Sequence, residues 1–223
     1  MNRKLFAEAI IKFTLGVILV GALLFLPAGT LAFTHGWLLM GILFIPMFLA
    51  GLVMMRKNPQ LLEKRLRVRE TQGRQQRVVK LSGLMFVLGF IAAGLNQRFE
   101  WHSLPKGICA GAVIAFLLSY ALYAEVLREN TYLSRSVEVQ ENQKVIDTGL
   151  YGIVRHPMYA VTLVLFLSMP LVLNSLISFV IFLAYPLIIA KRIQGEEEML
   201  SQELEGYKEY QQKVKYRLIP FVW

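Results

Sequence analysis

Apolar stretches without a charged residue alternate with polar segments along this chain of 223 residues. Four of the stretches, residues 13–33, 36–55, 81–97 and 107–124, have the length of about 17 to 25 residues that a helix needs to cross a bilayer. Runs of this kind are typical of transmembrane helices. The pattern therefore predicts four membrane crossings before residue 125.

A fifth uncharged run, residues 157–190, is too long for one crossing. Its 34 residues would extend about 50 Å at about 1.5 Å per residue, whereas the hydrocarbon core is about 30 Å thick. Pro170 removes a helical donor near the middle, and Asn174 and Ser175 favour a turn. The run predicts a helical hairpin, and the chain as a whole an all-α, polytopic membrane bundle of five or six transmembrane helices.

Composition and charge agree with this interpretation. Hydrophobic residues make up 56% of the chain, and the mean hydropathy is +0.50. Lys and Arg accumulate in cytoplasmic loops of membrane proteins, and with the N-terminus inside, 22 of the 24 basic residues fall on that side, all except Arg98 and Lys106. We expect cytoplasmic termini, and we attribute the net charge of +9 to topology and to contact with membrane lipids rather than to nucleic acid.

Motifs for metal and nucleotide binding are missing from the sequence. His35, His102 and His156 fall on opposite sides of the predicted membrane, and Cys109 is the single cysteine, so a three-histidine site cannot form within one chain. The sequence contains neither a P-loop nor GxGxxG after a strand. We predict no bound metal, and we expect helices and loops to hold any cofactor.

The two parts of the chain differ in polar content. Residues 1–127 predict a transmembrane scaffold with a basic cytoplasmic loop at 56–80, and residues 128–223 hold most of the unusual polar chemistry, including the cytoplasmic active site. The second part is therefore the predicted catalytic region.

The basic loop contains the pattern of a short helix. Asn58 is placed to cap a helix that begins at Pro59, and Leu61, Leu62 and Leu66 would share one face of it. The pattern predicts an amphipathic helix on the membrane surface or, equally, a solvated connector.

Charged and aromatic residues cluster where the hairpin begins. The segment GLYGIVRHPMY, residues 149–159, places Arg155, His156 and two tyrosines at the start of the apolar run. Such groups are costly at membrane depth unless they are paired or used, so they indicate a functional site. For Arg155 itself we expect a side chain that extends to the lipid headgroups.

The helix that leaves the hairpin carries a second polar pattern. KRIQGEEEML, residues 191–200, places Arg192 and Glu196 one turn apart on the same face. The chain then continues through GYKEY to YRLIPFVW, whose aromatic residues favour the bilayer interface. We expect this closing segment to fold back as a lid over the inner membrane face.

In this order, GLYGIVRHPMY, the hairpin, RIQGEE, GYKEY and YRLIP resemble the isoprenylcysteine carboxyl methyltransferase family and its bacterial relatives. The resemblance implies a membrane enzyme that uses S-adenosylmethionine to methylate a lipophilic acceptor, above all a carboxylate, which enters from the bilayer. It implies a catalytic, substrate-side role for Arg192. It also implies a cofactor-binding set, namely Gln140, Gln143, Lys144, Val145, Ile146, Tyr151, His156, Pro157, Met158, Tyr159 and Glu196.

The chemistry of these residue types fits the implied roles. Glu196 can pair with the ammonium group of the cofactor, and His156 can form a hydrogen bond. Tyr151 and Tyr159 can stack on adenine or face the sulfonium, an attraction of about 0.5 to 2 kcal/mol. A carboxylate acceptor is ionised near neutral pH and needs no general base, so Arg192 has only to orient it through its planar fork of donors.

Two other functions remain open at this point. Membrane sterol reductases carry a similar segment of glycine, arginine, histidine, proline and tyrosine but use NADPH. A non-catalytic membrane scaffold or lipid-binding protein would use the same motif only to tie loops together. The RIQGEE segment favours the methyltransferase.

Overall fold

A computed structural model of the chain describes residues 3–66, 73–133 and 139–223. Within these ranges the chain is helical and contains no β-strand, as predicted. Three basic residues of the predicted cytoplasmic loops, Arg67, Arg69 and Arg135, lie outside the described residues. The helices are α1 (Arg3–Ala28), α2 (Thr34–Lys57), α3 (Pro59–Leu66), α4 (Gly73–Phe99), α5 (Lys106–Glu129), α6 (Pro157–Val172), α7 (Leu176–Phe182), α8 (Ala184–Glu203) and α9 (Tyr207–Lys213), with a 3-10 turn at Gly149–Gly152 before α6.

The outer surface of the bundle is apolar. In the described part of the chain five segments are long and apolar enough to cross a membrane, namely α1, α2, α5, Gln75–Phe99 within α4, and Leu176–Glu203 across α7 and α8. Large apolar side chains point outward, among them Leu26 with 77% and Leu187 with 71% of its surface exposed. An exposed apolar surface of this size is unfavourable in water. The chain is therefore an integral membrane protein.

The first crossing is displaced from its predicted position. α1 begins at Arg3 and ends at Ala28, because Gly29 turns the chain with a φ of +67°, a conformation that glycine adopts at little cost. Phe33, the last residue of the predicted span, lies instead in the following loop and is buried in the core. The other three predicted spans lie within α2, α4 and α5.

The predicted hairpin is present, with its reversal at residues 173–175. Asn174 turns the chain with a φ of +57°, its Oδ1 accepts a hydrogen bond from the Leu104 amide at 2.6 Å, and Ser175 caps α7. Pro170 does not break the helix as expected, because it lies in the last turn of α6. At 16 residues, α6 reaches about 24 Å, less than the hydrocarbon core, so a complete sixth crossing stays a prediction.

The basic loop forms α3 as its pattern predicts. Asn58 Oδ1 accepts a hydrogen bond from the Leu61 amide at 3.1 Å and so caps the helix. Leu62 packs against Leu5 and Met55. The apolar face of α3 therefore lies on α1 and α2.

An aromatic cluster holds the bundle together near the middle of the hairpin. Phe86 of α4 meets Phe166 of α6 and Phe182 of α7 edge to face, at 4.9 and 5.2 Å between ring centroids. Phe166 also meets Tyr185 of α8 at 4.9 Å. These contacts fix α6 beside α8 and thereby position the two helices that supply the polar site.

Candidate functional site

A cavity lies where the start of α6, the second half of α8, α9 and the loop before the 3-10 turn meet. The lining residues are Asn130, Tyr132, Leu133, Gln143, Lys144, Val145, Ile146, Tyr151, Arg155, His156, Met158, Tyr159, Arg192, Glu196, Met199, Leu200, Leu204, Tyr207 and Tyr210.

Most of the predicted site residues lie around this one cavity. Gln140 and Pro157 are outside the lining. Gln140 stabilises the loop instead. Its side-chain Nε2 donates to the Tyr132 carbonyl at 2.5 Å, and its backbone amide donates to Gln143 Oε1 at 2.9 Å. Pro157 is the first residue of α6, where its missing amide hydrogen costs nothing. The structure brings the predicted set together, and its role in cofactor binding stays a prediction.

Tyr159 links the two polar residues of α8. Its Oη donates to Glu196 Oε2 at 2.5 Å and accepts from Arg192 Nε at 2.9 Å. Arg192 and Glu196 are one helical turn apart, as the spacing predicted. The tyrosine fixes the orientation of both side chains at the cavity wall.

Glu197, which we did not predict, is the acidic centre of a second network. Its side chain is 5% exposed and lies 2.6 Å from Arg155 Nε, 3.2 Å from His156 Nε2 and 2.7 Å from Arg217 Nε. An ionised carboxylate can only accept hydrogen bonds, so we place the proton of the His156 ring on Nε2. The His156 ring also stacks on the Tyr159 ring, with 5.7 Å between the ring centroids. The two networks are therefore in direct contact.

The expectation that Arg155 reaches the lipid headgroups is wrong. Its side chain is 7% exposed, and its Nη1 donates to the carbonyls of Val214 at 2.7 Å and Lys215 at 2.9 Å. Its own amide donates to the Tyr216 carbonyl at 2.9 Å. A nearby carboxylate and carbonyls satisfy the guanidinium inside the protein, so it has no need of headgroups. The closing segment is thereby bound to the start of α6.

Tyr151 forms the opposite wall. Its Oη accepts from Asn130 Nδ2 at 3.0 Å, and its carbonyl accepts from Tyr210 Oη at 2.7 Å. Burial raises the pKa of Tyr151 and of Tyr210 above the usual value, so both hydroxyls are neutral at physiological pH. The bond from Tyr210 holds α9 against the 3-10 turn beside the cavity.

The 3-10 turn depends on a close approach to α5. Gly149 has a φ of +52°, and a Cβ atom at this position would lie 1.9 Å from Glu129 Oε1. The same glutamate accepts from the Leu150 amide at 3.1 Å and from Thr148 Oγ1 at 3.3 Å. Glycine is favoured here because of the positive φ, and because a Cβ atom would displace the Glu129 carboxylate that anchors the turn carrying Tyr151.

Tyr207 contributes a hydroxyl of a different kind. The residue is 4% exposed, and in the described part of the chain its Oη finds no hydrogen-bond partner. The sequence does not indicate that this hydroxyl lacks a partner, although Tyr207 belongs to the GYKEY segment. Across residues 3–66, 73–133 and 139–223, His, Cys, Asp and Glu side chains form no group of three or more that could hold a metal.

The segment that contains most of the site matches a known protein family. Residues 111–202 match the profile of the isoprenylcysteine carboxyl methyltransferase (ICMT) family. The match begins in α5, includes the 3-10 turn and the start of α6, and ends in α8, so it contains Tyr159, Arg192 and both glutamates. It confirms the predicted resemblance over this segment, and it supports a membrane methyltransferase.

A second similarity points in another direction. The delta(14)-sterol reductase of Mus musculus is 28% identical over 163 residues, which cover 63% of this chain and 39% of the reductase. The chain therefore matches well under half the length of this curated relative.

Proposed function

We propose that this protein is an integral membrane methyltransferase that uses S-adenosylmethionine to methylate a lipophilic carboxylate. The observation that carries the proposal is the arrangement of Arg192, Tyr159 and Glu196 at the wall of one cavity, within the segment that matches the ICMT family. It combines a cation, an anion and a neutral hydroxyl in fixed relative positions.

The residues of the cavity fit the proposed cofactor. Glu196 supplies a carboxylate for the α-ammonium group, and the rings of Tyr151 and Tyr159 supply faces for adenine or the sulfonium. Tyr207 adds a buried hydroxyl for which no protein partner is found among the described residues, as expected where a ligand completes the hydrogen bonds. When bound, the cofactor supplies a methyl group activated by a positively charged sulfur.

The residues of the chain would then act by orientation rather than by proton transfer. A carboxylate acceptor is ionised at neutral pH, so the site needs no general base. Arg192, held through Nε by Tyr159, would orient the carboxylate with its planar guanidinium. Arg192 and Glu196 are half-buried, which strengthens these interactions relative to those in bulk water.

A second cavity supports a lipophilic acceptor. It lies between α1, α2 and α3, and apart from Lys12 and Arg65 its lining is apolar. Arg65 Nη2 donates to Tyr123 Oη at 2.5 Å, and Tyr123 packs against the cluster that contains Tyr151. The cationic end of this groove thus adjoins the wall of the first cavity, and we infer that it receives the hydrocarbon chain of the acceptor from the bilayer. The distribution of basic residues supports a cytoplasmic position for the site and both termini.

The similarity to the sterol reductase supports a second candidate function, an NADPH-dependent reduction at the same cavity. Such a site must hold phosphate groups, which arginine and lysine bind best. Arg155, which lines the cavity, is already paired with Glu197, and this favours the methyltransferase.

Calorimetric titration of the detergent-purified protein with S-adenosylmethionine and, separately, with NADPH tests the proposal. We expect binding of S-adenosylmethionine alone, at least about 10-fold weaker in Glu196→Gln, because an ion pair becomes a neutral contact. Glu203→Gln, which changes an exposed residue of the same helix, is the matched control. Binding of NADPH alone would establish the reductase, and binding of neither would refute both.

A radiolabelled methyl group then tests the acceptor. We expect transfer into the lipid fraction of a membrane extract, lost in Arg192→Lys while binding of S-adenosylmethionine is kept. Transfer by the variant at the wild-type rate would contradict the role of Arg192.

A further inference from the structure

Tyr207, whose hydroxyl has no hydrogen-bond partner among the described residues, belongs to the cavity wall. The residue begins α9, is 4% exposed and lines the cavity. A buried hydroxyl without a hydrogen-bond partner is costly, and proteins keep few of them. A hydrogen bond to a ligand atom would offset this cost.

Tyr210, one turn further along α9, provides the comparison. It lines the same cavity, is also buried, and its Oη donates to the Tyr151 carbonyl at 2.7 Å. The two tyrosine rings lie 5.7 Å apart and pack in one apolar cluster. The ring of Tyr207 therefore serves the packing of α9, whereas its hydroxyl has no structural task among the described residues.

Nearby charges indicate which ligand atom the hydroxyl meets. Burial, and after it the negative charges of Glu197 and Glu196, raise the pKa of Tyr207. The group is therefore a neutral donor, and it belongs to a residue that lines the same cavity as Glu196. In an α-amino acid the ammonium and the carboxylate are attached to the same carbon, so a donor for the carboxylate must lie beside the acceptor for the ammonium.

We propose that Tyr207 is a cofactor-binding residue whose hydroxyl donates a hydrogen bond to the α-carboxylate of S-adenosylmethionine. The inference rests on the proposed function, since it requires an amino-acid cofactor with its ammonium group at Glu196. Glu196 of α8 would then bind the ammonium group and Tyr207 of α9 the carboxylate of the same amino-acid end.

The test compares two ligands on three forms of the full chain. Wild type, Tyr207→Phe and Tyr210→Phe are titrated in detergent with S-adenosylmethionine and with decarboxylated S-adenosylmethionine, which lacks only the α-carboxylate. We expect Tyr207→Phe to weaken binding of the first ligand about 10-fold, the usual effect of losing a hydrogen bond to a charged group, and to change binding of the second less than about 2-fold. Tyr210→Phe should change both by the same factor, because its hydroxyl supports the fold.

Thermal melting without ligand gives an independent readout. Tyr207→Phe should melt no lower than wild type, since it removes an unsatisfied group, whereas Tyr210→Phe should melt lower because it leaves the Tyr151 carbonyl without its donor. Wild type itself should prefer S-adenosylmethionine over the decarboxylated ligand by about 10-fold or more, a comparison that needs no variant. Equal losses for both ligands in Tyr207→Phe, no loss, or no preference in wild type would overturn the inference. A wild type that melts normally but binds neither ligand would refute the proposed function itself.

Discussion

Two adjacent glutamates of α8 should respond differently to the same substitution, Glu197 with a loss of stability and Glu196 with a loss of ligand affinity at near-normal stability. Glu197 is 5% exposed and contacts Arg155, His156 and Arg217, and the side chain of Arg155 is itself 7% exposed. Glu196 is half-buried and bonds to Tyr159 at the cavity wall. Replacement by glutamine keeps the size of either side chain and removes its charge, so the pair distinguishes a glutamate that supports the fold from one that affects ligand binding without supporting the fold.

The magnitude for Glu197→Gln follows from the charge that it leaves uncompensated. Removal of one partner of a buried ion pair costs about 3 to 5 kcal/mol. Two carbonyls still accept hydrogen bonds from Arg155, so we expect the lower part of that range. On the scale of globular domains of similar length, about 2 to 4 °C per kcal/mol, the melting temperature should fall by about 6 °C or more. Glu196→Gln keeps an acceptor for Tyr159 and should shift it by less than about 4 °C.

Thermal unfolding in detergent and titration with S-adenosylmethionine measure the two effects on the same samples. We expect low stability for Glu197→Gln and low affinity at near-normal stability for Glu196→Gln, while the exposed Glu203→Gln changes neither. If Glu197→Gln melts with the wild type, or if Glu196→Gln melts as low as Glu197→Gln, the division of roles is refuted.

Three further substitutions test other parts of the structure. Gly149→Ala should cost about 2 kcal/mol or more in thermal melts, because its Cβ would lie 1.9 Å from Glu129 Oε1; near-wild-type stability would contradict the turn. Asn174→Gly should cost about 1 to 3 kcal/mol through its lost hydrogen bond to the loop before α5, and Asn174→Ala about 1 kcal/mol more because of its positive φ; equal melting of the two variants would argue against backbone strain. Gly51→Trp fills open space in the second, apolar cavity between α1, α2 and α3 and should reduce methyl transfer to membrane lipids without changing cofactor affinity. The control is Gly83→Trp, at an exposed position on α4 with open space around it. Equal transfer by the two variants would refute acceptor binding in this cavity.

The apolar runs predict most of the fold because a bilayer leaves a chain few choices. A spanning segment must satisfy its own backbone hydrogen bonds, so a long uncharged run becomes a helix. The same argument cannot say where the helix ends. Gly29 ends α1 before the apolar run does, and Pro170 leaves α6 intact because it lies in the last turn. Both outcomes depend on the local backbone.

Much of the site is predictable from order and spacing, since Arg192 and Glu196 lie one turn apart and the HPMY group begins a helix. The role of Glu197 is not. Successive residues of a helix point about 100° apart, so of three consecutive glutamates each faces a different neighbour, and only the position of α6 shows that Glu197 meets Arg155. A signal was nevertheless present, because an arginine and a histidine next to an apolar run require a carboxylate if they are buried.

The pairing of Glu197 with Arg155 also bears on which cofactor the cavity favours. Without that glutamate, a buried guanidinium at the wall would repel a sulfonium and attract phosphate. With it, Glu197 balances the charge of Arg155, Arg217 lies outside the cavity lining with a 37% exposed side chain, and Arg192 and Glu196 place opposite charges at the wall. The pairing of Arg155 therefore weakens the attraction of the wall for a polyphosphate. Glu197→Gln should therefore lose affinity for S-adenosylmethionine beyond what its lower stability explains, and a folded variant that binds the cofactor as tightly as the wild type, measured well below its melting temperature, would show that the network serves the fold alone.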